Sequence, residues 1–255
     1  MITGWVVFAA IFGSTIGSFL NVCIYRLPRR ESIVWPRSAC PHCRRNLAWY
    51  ENLPIVSYIW LRGRCRTCRG AISIRYPIVE ALTAAMFAGA AWYYGPSMLL
   101  VSRLVFGCAL IVLFAIDLEH HLLPNAITLP GIVAGFLFSF VTDPGWTASL
   151  VGIVFGGGLL YTIAEAYYRI RHEEGLGMGD VKMLAMIGAF IGWQLTLLTL
   201  MTASLAGSVI GLGLLATGRG SMKYALPFGT FLALGAAFAA VLGPGLLDWY
   251  LGQFR

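Results

Sequence analysis

Apolar runs long enough to cross a lipid bilayer recur from one end of this chain to the other, and no other feature narrows its fold so sharply. The expected architecture is an all-α, polytopic membrane protein of about eight transmembrane helices. Composition agrees: 58% of the 255 residues are hydrophobic, only 11% are charged and the mean hydropathy is +0.77. Soluble domains carry about a quarter charged residues. The eight spans fall at about 3–25, 77–94, 97–116, 126–141, 147–168, 181–193, 195–217 and 227–251, with only Gln194 between the sixth and the seventh. No basic residue precedes the first run and no small-residue cleavage site follows it, so it reads as a retained span rather than a removable signal peptide. Glycines within the spans (Gly13, Gly17, Gly152, Gly156, Gly157, Gly158, Gly207, Gly211) read as points of close helix packing.

The one long polar segment, 26–76, fixes the orientation. Eleven of the eighteen basic residues lie there, opposed only by Glu31 and Glu51. Basic loops stay in the cytoplasm. With this loop inside, the loops carrying Arg169, Arg171, Lys182, Arg219 and Lys223 fall inside as well, and the outer turns hold almost no basic residue. Arg103, in the outer part of the third span, is the exception. The net charge of +7 is therefore a topology signal, and no nucleic-acid partner is expected.

Within that loop stand two CxxC pairs, Cys40 with Cys43 and Cys65 with Cys68, separated by 21 residues. Each knuckle lets two thiolates grip one ion, and two together make a tetrahedral zinc signature. The alternative is two disulfides, which a reducing compartment disfavours. Four thiolates leave no open coordination position, so the zinc is expected to be structural. His42 is not expected to ligate, and Cys23 and Cys108 read as packing residues inside spans.

Ionisable groups at membrane depth are costly and tend to be functional. Glu80 and Glu165 sit within spans, while Asp143 and Asp248 lie near the outer surface. Asp117 ends the third span in FAIDLEHHLLPN, and Asp180 begins the sixth in GLGMGDVK. Both fall at the cytoplasmic edge. Two carboxylates brought together cannot both ionise easily, and such a pair can activate water and protonate a leaving amine without a covalent intermediate. Taken singly, Asp180 could be a helix cap and Asp117 an interfacial residue. Gly177 and Gly179 favour the catalytic reading of Asp180, because they allow close approach of an extended substrate backbone; with Lys182 they are the expected substrate-binding residues. His120 and His121 invite a metal reading but have no matched ligand cluster.

These residues resemble the GxGD intramembrane aspartyl proteases, and specifically the bacterial type IV prepilin peptidases. GSFLNVCIYRLP, the paired CxxC loop, FAIDLEHHLLPN, GMGDVKML and LPFGTFLALG carry the resemblance in order along nearly the whole chain. It implies that Asp117 and Asp180 are the catalytic aspartates. It also implies the substrates: prepilins and type II secretion pseudopilins, cut in the inner membrane on its cytoplasmic side after the glycine that ends a basic leader. Methylation of the new N-terminus with S-adenosylmethionine is implied by likeness alone. The division that follows is 1–25 as first helix, 26–76 as the zinc loop associated with methyl transfer, and 77–255 as the membrane peptidase domain. The family often has Asp at position 125 and Pro at 230, where this chain has Asn125 and Thr230. These departures are expected to bear on substrate preference and not on the catalytic acids. Two other classes stay open: an ion-coupled transporter, which needs acids near mid-membrane, and a non-enzymatic scaffold, in which the cysteines matter and the acids do not.

Overall fold

The computed structural model describes residues 2–173, 176–217 and 227–253. The loop holding Arg219 and Lys223 lies outside them. Every regular element among the described residues is helical: α1 (Ile2–Arg26), α2 (Val56–Trp60), α3 (Arg75–Tyr94), α4 (Met98–His120), α5 (Asn125–Phe138), α6 (Trp146–Arg171), α7 (Met178–Ala216) and α8 (Phe228–Gly252). By length and composition α1, α4, α6, α7 and α8 can cross a membrane; α5 is apolar but shorter. Their outward faces carry Phe8, Ile11, Val154, Met201, Leu205 and Val241, all exposed, as a lipid-facing wall requires. The chain divides into two compact units, Met1–Val112 and Leu113–Arg255.

In the first unit α1 packs on α3 through missing side chains. A Cβ on Gly17 would stand 2.7 Å from the Glu80 Cα, and one on Gly13 would stand 2.6 Å from the Phe87 Cβ. Asn21 then reaches across, donating from Nδ2 to the Tyr76 carbonyl at 3.0 Å. Ala9, Phe87, Ala91 and Leu100 form the apolar cluster beyond, and Cys108 packs against it, as expected of a small apolar residue.

The second unit is built around the start of α7. Ten consecutive residues, Met183 to Gly192, are buried there, which marks a helix enclosed on all sides. Helix α6 crosses it at Gly152, where a Cβ would meet the Gly188 carbonyl oxygen at 2.4 Å; the reciprocal Cβ on Gly188 would meet the Gly152 oxygen at 2.1 Å. Ser149 secures the crossing with a hydroxyl bond to the Ala189 carbonyl at 2.8 Å. On the α5 side, Gly131 faces Met186 and Gly135 faces Ala189 and Phe190.

Two expectations need correction. The break inside α7 is at Gly192, with φ 75 and ψ 171, not at Gln194. Leu184 and Thr196 both lie against Gly156, so the chain folds back there upon itself. A polar residue can sit on a continuous helix, whereas this backbone conformation is open mainly to glycine. Gly158, expected to pack, has open space where its Cβ would be.

Candidate active site

Asp117 lies in the last turn of α4, which runs one turn further than the apolar run suggests, to His120. Its side chain is buried. Asp180 is the third residue of α7, after Gly177 as N-cap, and is half-buried. Neither acid lies at mid-span.

Leu123, just after α4, joins the two neighbourhoods. Its Cβ is 2.9 Å from where a Cβ on Gly179 would be, and its Cδ1 is 2.9 Å from the same point on Gly229. Gly179 precedes Asp180. The Cβ position of Gly229 is in turn 3.0 Å from Cγ and Oδ2 of Asp117. Leu123 thus lies against the residue before Asp180 and against the glycine that Asp117 touches. Leu123 accounts by itself for the small size of Gly179, while Gly177 sits beside the Asp180 carboxylate, its Cβ position 3.3 Å from Oδ2. Lys182 donates from Nζ to Oδ1 of Asn125 at 3.0 Å.

Asp117 has partners that sequence reasoning missed. Oδ2 accepts the Thr230 backbone N–H at 2.6 Å and the Thr230 hydroxyl at 3.0 Å. Thr230 was expected to bear only on substrate preference; it touches the acid itself. The available signal was a hydroxyl residue in the first turn of the last helix, a position that exposes free backbone donors. Among the other acids, Glu165 is taken up by Arg169 at 2.7 Å and Glu80 accepts the Ile55 N–H at 2.8 Å.

The four cysteines form a second centre, in the first unit. The two knuckles are near copies of each other. Cys40 and Cys65 accept from the amides of Arg44 and Arg69, and donate their own N–H to Arg45 and Gly70. Arg44 and Arg69 share a left-handed backbone, φ 56 and φ 57. The sulfurs of Cys40 and Cys68 are 3.8 Å apart and those of Cys43 and Cys65 are 4.0 Å apart, with all four ligand atoms within 4.8 Å. Tetrahedral thiolates at about 2.3 Å from zinc stand about 3.8 Å apart, so the set fits such an ion and excludes a disulfide in this arrangement. Backbone N–H groups of Cys68 and Thr67 lower the Cys65 thiol to about 6, which favours the thiolate that binds metal. Among the described residues this is the cluster of three or more potential metal ligands that the structure brings together. Beside it Glu51, buried, accepts from Arg45 at 2.6 Å and from the Ala48 N–H at 2.9 Å.

Comparison with known proteins decides the family. Residues 11–94 match the bacterial peptidase A24 N-terminal domain, and residues 104–212 match the type IV leader peptidase family. A prepilin leader peptidase/N-methyltransferase of Aeromonas hydrophila is 36% identical over 98% of this chain and 96% of its own length. The chain belongs to the type IV leader peptidase family. The protein of the same name from Burkholderia pseudomallei (strain 1026b) is 38% identical over 92% of this chain and 85% of its own length. That of Myxococcus xanthus is 43% identical over 84% and 64%. No solved structure matches this member of the family.

Proposed function

We propose that this leader peptidase cleaves prepilins and pseudopilins after the glycine of their basic leader, with Asp117 and Asp180 as the catalytic pair. The observation that supports it is that Leu123 lies both against Gly179, next to Asp180 at the start of α7, and against Gly229, which touches Asp117 at the end of α4. One carboxylate deprotonates water while the other protonates the scissile carbonyl, so no covalent intermediate is needed. Gly177 and Lys182, beside Asp180, are the residues proposed to meet the substrate, while Gly179 makes room for Leu123. A transporter gains no support, since both acids lie at helix ends.

The eight-span reading counts α1, α3, α4, α5, α6, the two halves of α7 and α8. The active site then faces the cytoplasm of a bacterial cell, at the inner membrane, where a substrate's apolar helix emerges from lipid. The basic loop suits that side. Its exposed Trp35, Trp49 and Trp60 suit the headgroup zone of the membrane lipid. Cys40, Cys43, Cys65 and Cys68 would hold a structural zinc, which ties the two knuckles of the 26–76 segment together. Methylation of the cleaved N-terminus with S-adenosylmethionine rests on the name the relatives share, and no residue is assigned to that cofactor.

The test is cleavage of a prepilin by purified protein in detergent. Asp117→Ala and Asp180→Ala are each expected to abolish it; wild-type rates in either variant would remove Asp117 and Asp180 as the catalytic pair. Labelled methyl transfer to the cleaved product checks the second activity, and absence of incorporation would remove it.

A further inference from the structure

The two acids are held differently. Thr230 is the third residue of α8, so its N–H is one of the donors that the first helical turn leaves without a partner. Pro227, the N-cap, supplies no side-chain acceptor. Asp117 supplies one from α4, taking that N–H and the Thr230 hydroxyl on a single oxygen, Oδ2. Hydrogen bonds from donors favour the anion; the positive end of a helix acts on both acids alike, since Asp180 stands in the first turn of α7. Gly229 lets the carboxylate come this close. The exposed His121 is the titratable group that acts on Asp117, Asp117 in turn acts on Asp180, and the first turn of α8 adds no acid. Asp117 draws two donors from one residue, whereas Asp180 accepts the Gly177 N–H and its Oδ1 is buried and has no hydrogen-bond partner. A charged oxygen left so is costly, whereas a protonated carboxyl has a proton to give.

We propose that Thr230 is a positioning residue that fixes Asp117 as the base of the pair and leaves Asp180 as the member that carries the proton. This rests on the peptidase reading above. With Oδ2 occupied, Oδ1 of Asp117 takes a proton from water as the water oxygen bonds to the scissile carbonyl carbon. The π electrons move to the carbonyl oxygen, which takes the proton of Asp180. On collapse the C–N bond breaks, the nitrogen receives the proton held by Asp117, and one hydroxyl of the gem-diol returns a proton to Asp180. Both acids end as they began.

Steady-state cleavage by the purified full-length enzyme tests this. Thr230→Val keeps the size and the backbone donor but lacks the hydroxyl. The expected result is a fall in kcat of about tenfold with KM and thermal midpoint nearly unchanged, and recovery to within about twofold in Thr230→Ser. A wild-type kcat in Thr230→Val, or an equal fall in Thr230→Ser, overturns the assignment. Should the valine variant fail to fold, Thr230→Ala against Thr230→Ser gives the same contrast. Asp117→Asn separates the two readings. If it still cleaves, the catalytic role of Asp117 fails; if it is inactive while Thr230→Val is wild type, only the role of Thr230 fails.

Discussion

Glu51 shows how a single carboxylate can organise a loop that has no apolar core of its own. The Ala48 N–H, with the Arg45 guanidinium, holds its carboxyl below the ordinary 4.5 against the opposing effect of burial. A depressed carboxyl gives stability that is present in full above its unfolded value and is lost as the pH falls through the folded one. Glu51→Gln should therefore raise amide exchange of residues 45–51 at pH 7, and the gap from wild type should close below about pH 4.5. A gap that persists unchanged in acid would show that the charge is not what matters. Residue-scale pairing of this kind was poorly legible in the sequence. Asp117 and Asp180 stood out because charge is rare in apolar runs. Nothing in spacing alone could show that Thr230, 113 positions away, donates to one of them.

At the scale of elements, the small-residue pattern was legible and its geometry was not. Gly152 and Gly188 are mutual necessities, because each would place a Cβ against the other's backbone oxygen. Backbone cannot yield as a side chain can, so Gly188→Ala should cost about 3 kcal/mol or more in thermal unfolding. Gly158→Ala, in open space on α6, the helix of Gly152, should change stability by no more than about 0.5 kcal/mol. Equal losses at the two sites would contradict the packing described. The reversal in α7 was misplaced by two residues for a related reason. Polarity drew attention to Gln194, whereas the turn depends on the freedom of the Gly192 backbone.

For the whole molecule, helical class and family could be read from repeated apolar runs and ordered motifs. The division into units at Val112 and Leu113, inside α4, could not, because it follows from contacts and crosses a continuous apolar helix. The cysteine cluster belongs to one unit and both aspartates to the other. A chelator that strips the zinc proposed at Cys40, Cys43, Cys65 and Cys68 should therefore disturb residues 26–76 while leaving leader cleavage largely intact. Loss of cleavage in proportion to zinc would contradict this separation. The central claim, that Asp117 and Asp180 work as one unit on one water, is tested most directly by a double-mutant cycle of cleavage rates. Groups that act together are grossly non-additive. Asp117→Asn, Asp180→Asn and the double variant should all fall to the same background rate. A double variant slower than either single variant by the product of their separate losses would contradict it.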